Sequence, residues 1–160
     1  RLEVAGEPAM ARNETARYTE LLPDGRARMF TFPMGVKSLI TAPSAGMRLP
    51  GRGFTGLTGL AWSGHGRVRR VEVSTDGGRH WRDADLQGPA QPRAFTRFRA
   101  AWNWQGEPSV LMSRATDEAG HVQPGRAALV AERGRHGYFH YNAIVCWQVD
   151  ADVRETHVYA

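Results

Sequence analysis

The sequence predicts an all-β sandwich preceded by an irregular arm. Apolar and polar residues alternate over short stretches, turn residues separate those stretches closely, and no stretch keeps a helical period for long. The clearest stretch runs from Gly59 to Trp81. From Arg70 onward its residues alternate with the period of a half-buried strand, Val71 and Val73 against Arg70, Glu72 and Ser74. Asp76-Gly77-Gly78 then supplies a tight turn, because glycine takes positive φ without a Cβ clash.

The elements follow in order. Residues 1–35 form the arm: Pro8, Pro23-Asp24-Gly25 and Pro33 interrupt it, and its apolar residues keep no register. Within it, Asn13 to Leu22 reads as a short helix with Asn13 as N-cap and Pro23 as stop. Ten residues do not hold a helix without a surface to pack on, so a partner surface is expected. Residues 36–160 form the sandwich, with strands at Ser38 to Thr41, Gly53 to Ser63, Arg67 to Thr75, Trp81 to Leu86, Phe95 to Trp104, Ser109 to Asp117 and Ala143 to Val149. A final piece is expected at Thr156 to Tyr159. Pro43 to Gly46, Gly64-His65-Gly66, Pro89 to Pro92, Gly106-Glu107-Pro108 and Pro124-Gly125 punctuate them. About seven strands with these spacings fit an immunoglobulin-like fold.

Tryptophans carry much of the packing, since each buries roughly 200 Å². Trp62, Trp81 and Trp147 are the expected core set. Trp102 and Trp104 share one face of one strand, which makes them either further core or an aromatic contact for another surface.

A chain of 160 residues with 41% hydrophobic content supports one ordinary core. Its net charge of +5 favours an anionic partner or substrate without identifying one. The single cysteine, Cys146, excludes an internal disulfide and any four-cysteine metal site. No apolar run approaches the roughly 18 residues that span a bilayer, so no membrane partner is expected. The start at Arg1 suggests a processed or truncated chain.

Catalytic patterns are sparse. The six histidines, at 65, 80, 121, 136, 140 and 157, show no metal-ligand spacing, and Gly134 and Gly137 oppose a helix that would join His136 to His140. Asp76 and Asp117 read as turn residues, Ser63 lacks a nucleophile-elbow setting, and Cys146 lies mid-strand among apolar neighbours. Arginines at 67, 69, 70, 93, 97, 99, 133 and 135 raise a nucleic-acid reading, but Arg97 and Arg99 alternate with Phe98 as an exposed face does. Neither metal nor nucleic acid is expected on this chain.

Five segments, in order, carry a family resemblance: Ser38 to Pro43, Gly59 to Gly64, Val71 to Gly78 with Trp81, Ser113 to Asp117 followed by Val122-Gln123-Pro124, and Asn142-Ala143-Ile144 with Trp147. Together they resemble the C-terminal dimerisation domain of the sulfite oxidase family of molybdenum enzymes, as in bacterial sulfite or sulfane dehydrogenases of sulfur oxidation. The arm, Glu14 to Thr19 through Gly25, resembles the segment that leaves the molybdenum domain in those bacterial proteins. The resemblance implies a molybdenum–molybdopterin cofactor in a separate preceding domain, none bound by this chain, and no catalytic residue here. It implies a homodimer or a molybdenum-domain partner, a c-type cytochrome as electron acceptor, and the periplasm. Arg135 stands near an arginine that reaches the anionic substrate pocket in animal and plant relatives, without the Trp-Asn pair found there. It is therefore expected either as substrate-facing or as a plain surface residue. Trp102 and Trp104 are the expected dimer contact. A free-standing immunoglobulin-like binding or structural module is the alternative.

Overall fold

The computed structural model describes residues 2–135, 137 and 139–151, together with the strand backbone of 155–158. In chain order the elements are β1 (Glu20–Leu21), β2 (Ala27–Arg28), β3 (Lys37–Ala42), β4 (Gly53–Trp62), β5 (Val68–Ser74), β6 (Arg82–Asp83) and β7 (Asp85–Gln87). They continue with β8 (Thr96–Trp104), β9 (Ser109–Asp117), α1 (Arg126–Arg133), β10 (Cys146–Val149) and β11 (Glu155–Val158). One antiparallel sheet has the order β11-β10-β9-β5-β6 and the other β3-β4-β8-β7, with β1 and β2 paired in the arm. This is the expected all-β, immunoglobulin-like sandwich.

Alternation sets the core. Leu57 and Ala61 of β4 and Phe98, Trp102 and Trp104 of β8 meet Val71 and Val73 of β5, Leu111 and Ala115 of β9 and Val149 of β10. Gly59 is required by this packing, because a Cβ there would stand 2.2 Å from the Phe98 ring. Asp76 builds the expected turn after β5: its Oδ1 accepts from the backbone N–H of Arg79 and His80, each at 3.0 Å. Gly77 and Gly78 both take positive φ, at 73° and 87°.

The free edge of β3 is closed by side chains from the last third of the chain. Asn142 Nδ2 donates to Val36 O at 3.1 Å, and Trp147 Nε1 donates to Ile40 O at 2.9 Å. Between them the Gln123 amide pairs with Ser38 as a neighbouring strand would: Oε1 accepts from Ser38 N at 2.8 Å and Nε2 donates to Ser38 O at 3.2 Å. The same amide accepts from Ala115 N and donates to Ala143 O, at 3.2 and 3.3 Å. Three of the five family-like segments therefore meet at one buried glutamine, and an exposed sheet edge is avoided.

Several expectations need correction. Trp102 and Trp104, 5% and 1% exposed, are core residues, so they have no free face to offer a second copy. Even-numbered residues of β8 face the opposite sheet and odd-numbered ones face solvent. Trp62, Trp81 and Trp147 are only partly buried: Trp62 meets Phe95 edge-on at the rim, Trp81 stacks under Arg114 outside the five-stranded sheet, and Trp147 flanks the core. The strand expected over Trp81 to Leu86 is two strands. It leaves the five-stranded sheet at Asp83 and enters the other at Asp85, with Ala84 between them still donating to Val71 O at 2.9 Å. The last main strand begins at Cys146 rather than Ala143. The final piece spans Glu155–Val158, and Tyr159 lies outside the described residues.

The arm also differs. A single π-turn, Asn13–Arg17, replaces the expected helix, with Arg12 rather than Asn13 at its N-cap position. Glu20 and Leu21 instead pair with Arg28 and Ala27. One helix, α1, was not expected. Gly125 supplies no capping side chain, and Leu129 is its one buried apolar residue.

Candidate functional site

The arm, one end of the sandwich and α1 enclose a cleft of about 320 Å³. Its lining includes Arg28 from the arm, His65 and His121 from sandwich turns, and Glu132, Arg133 and His140 beyond them.

At the sandwich end, Asp117 organises two turns. Its fully buried carboxylate accepts from Ser63 Oγ at 2.8 Å and from His121 N at 2.9 Å, and His121 Nδ1 lies 3.1 Å away. Burial alone would raise this carboxyl, but the Ser63 and His121 donors outweigh it and hold it below the ordinary carboxylate range. The His65 and His121 rings stand 4.7 Å apart. Ser63 donates to the carboxylate, and its oxygen accepts from His65 N at 3.0 Å, so the hydroxyl is not activated by an imidazole. These contacts make a structural tie.

At the helix end, Arg133 reaches the arm. Its Nε donates to Glu20 Oε2 at 3.0 Å, and its Nη2 donates to Glu20 Oε1 and to Phe139 O. Burial pushes the guanidinium below its ordinary value. Sequence gave no hint of this pair, since 113 residues separate its members.

Arg135 is exposed in the turn beyond α1, outside the lining of the cleft. His136 lies outside the described residues. Among the described residues, no three of the His, Cys, Asp and Glu side chains are grouped so as to hold a metal ion. Cys146 is 1% exposed, packed in register opposite Met112, and so presents no thiolate to a metal. Among the described residues, no side chain is placed as a thiolate or clustered metal ligand for a molybdenum cofactor.

Of the arginines weighed as a nucleic-acid surface, Arg70 is spoken for: it contacts Asp83 at 2.5 Å and Glu72 at 3.2 Å, and Glu72 also makes a bidentate pair with Arg114 at 2.8 and 3.1 Å. Arg97 and Arg99 lie on the solvent face of β8.

Three comparisons with known proteins agree with this geometry. Sulfite oxidase of Gallus gallus is 37% identical over 99 residues, covering 58% of this chain and 21% of that protein. Nitrate reductase [NAD(P)H] of Hordeum vulgare is 36% identical over 107 residues, covering 58% of this chain and 12% of that protein. The chain thus spans about a fifth or less of these curated relatives. The crystal structure of the sulfane dehydrogenase SoxCD from Paracoccus pantotrophus superposes with a TM-score of 0.90 at 48% identity, covering 94% of this chain and 39% of that one. Residues 28–147 match the family described as Mo-co oxidoreductase dimerisation domain, and this chain belongs to that family.

Proposed function

We propose that this chain is the dimerisation module of a molybdenum-dependent dehydrogenase that oxidises sulfite or a protein-bound sulfane sulfur. In this reading the cofactor sits in a preceding domain, a c-type cytochrome takes the electrons, and the enzyme works in the periplasm. The observation that carries it is the likeness to the sulfane dehydrogenase, which at 94% of the chain extends into the arm beyond the family match. Apolar side chains along the arm support a covering domain: Leu2, Val4, Met10, Phe32 and Met34 are all exposed. Arg135 faces the anionic substrate in this reading, by analogy of position.

With Trp102 and Trp104 inside the core, the second copy packs on the outer face of the four-stranded sheet. There Phe54, 82% exposed, stands beside the small residues Gly56, Thr58 and Ala101, with Asn103 and Arg99 in register opposite Phe54 and Thr58 as a polar rim. The arm side is left to the preceding domain, and the outer five-stranded face carries the Arg70, Glu72 and Arg114 ion pairs.

The test is to purify the complete translated polypeptide from a molybdenum-replete host and assay sulfite and sulfane oxidation with a c-type cytochrome as acceptor. Turnover that disappears on tungstate substitution supports the reading. A folded polypeptide without molybdenum, inert towards both substrates, counts for the free-standing module instead.

A further inference from the structure

Arg133, the last residue of α1, touches both the arm and the loop beyond the helix. Its guanidinium holds Glu20 of β1, donates to Phe139 O, and reaches His140 O at 3.5 Å. Glu20 is 1% exposed and Arg133 9%, so each charge relies mainly on the other rather than on water. The surroundings are equally tight. Gly134, at φ 77°, lies so close to the arm that a Cβ would stand 3.0 Å from Leu21 O, and one on Gly137 would stand 2.9 Å from Arg133 Cβ. The Tyr18 and Phe139 rings add a contact from arm to loop at 5.2 Å.

We propose that Glu20 and Arg133 are a positioning pair: seating the arm fixes the loop residues Gly134, Arg135, Gly137, Phe139 and His140, so that arm docking and loop geometry are coupled. The physical reason is the cost of an unpaired buried cation. Without the Glu20 carboxylate, two backbone carbonyls do not compensate a desolvated guanidinium. It turns towards water, and its bonds to Phe139 and His140 break together. For Arg135 as a substrate-facing residue, the inference rests on the proposed function.

The test uses the complete polypeptide with Glu20→Gln, which keeps the shape and removes the charge, and with Arg133→Lys, which keeps the charge and removes the fork. Hydrogen exchange should quicken by at least about ten-fold at the amides of Gly134, Arg135, Gly137, Phe139 and His140 while β4 and β8 stay protected. For an active enzyme, KM for the anionic substrate should rise by roughly 2- to 30-fold with kcat nearly unchanged. Unchanged exchange in the loop in both variants overturns the coupling. So does a loss of protection spread evenly over the sandwich in both, which would mark a merely structural pair. Changed loop exchange in a polypeptide that carries no molybdenum would uphold the coupling and sink the proposed function, so the two failures are distinguishable.

Discussion

Replacing Gln123 by leucine roughly preserves volume and removes the amide that pairs with Ser38 on the β3 edge, while Asn142 and Trp147 keep their bonds to Val36 O and Ile40 O. The buried Ser38 N–H and C=O, the Ala115 N–H and the Ala143 C=O each lose the partner described for them, at 2.8, 3.2, 3.2 and 3.3 Å. The Ser38 hydroxyl keeps Ser113 Oγ at 3.0 Å, so it adds little. Each orphaned buried group costs about 1–3 kcal/mol, and the added apolar side chain returns part of it, leaving a net loss of roughly 3–5 kcal/mol. That is a large fraction of the about 5–15 kcal/mol that holds a typical domain together. Urea unfolding followed by tryptophan fluorescence measures it: with a slope of about 2 kcal/mol per M, the midpoint falls by about 2 M at unchanged slope. A loss below about 1 kcal/mol would refute the idea that this side chain substitutes for a neighbouring strand.

The tryptophan reassignment predicts that Trp104→Ala costs about 3–5 kcal/mol, whereas Trp81→Ala, which removes the stacking contact with Arg114 and the indole bond to Gly78 O, costs about 1–2 kcal/mol; denaturant midpoints of the two variants decide it. Asp117→Asn should lower stability at neutral pH by about 1.5–3 kcal/mol, since the hydrogen bonds it weakens end on a buried carboxylate. Because folding depresses the Asp117 pKa, its contribution is complete above the unfolded value of about 3.9 and is lost as pH falls through the folded one. Urea midpoints taken across that range should therefore converge for variant and parent in acid. Phe54→Asp should leave the monomer's stability within about 0.5 kcal/mol while weakening self-association by at least about ten-fold, because it places two like charges at a two-fold contact. Sedimentation equilibrium reads that change directly.

How much of this was legible follows from the range of each interaction. Strands such as β5, β8 and β9 are set by neighbouring residues, and alternation places them to within a residue or so. The same alternation said that Trp102 and Trp104 share a face but not which face, because an edge-to-core decision depends on the opposite sheet. The switch at Ala84 was hidden for the same reason: passing from one sheet to the other leaves the local pattern intact. Helix α1 lacks a capping side chain, yet its run of Ala127, Ala128, Leu129, Ala131 and Glu132 closed by Gly134 is a local helix signal, so this element was legible in the sequence. Gln123 was visible only as part of a family-like segment, and its role appears once Ser38, 85 residues away, is placed beside it. The Glu20 and Arg133 pair shows the limit most plainly, since no local pattern distinguishes either residue from its exposed neighbours.

Native mass spectrometry of the complete translated polypeptide is the most direct test that these 160 residues are a non-catalytic dimerisation module of a molybdenum enzyme. The prediction is a dimer carrying one molybdenum–molybdopterin mass per protomer, which Phe54→Asp dissociates into monomers that still hold the cofactor. A polypeptide that stays monomeric at micromolar concentration, or a dimer without the cofactor mass, would contradict it.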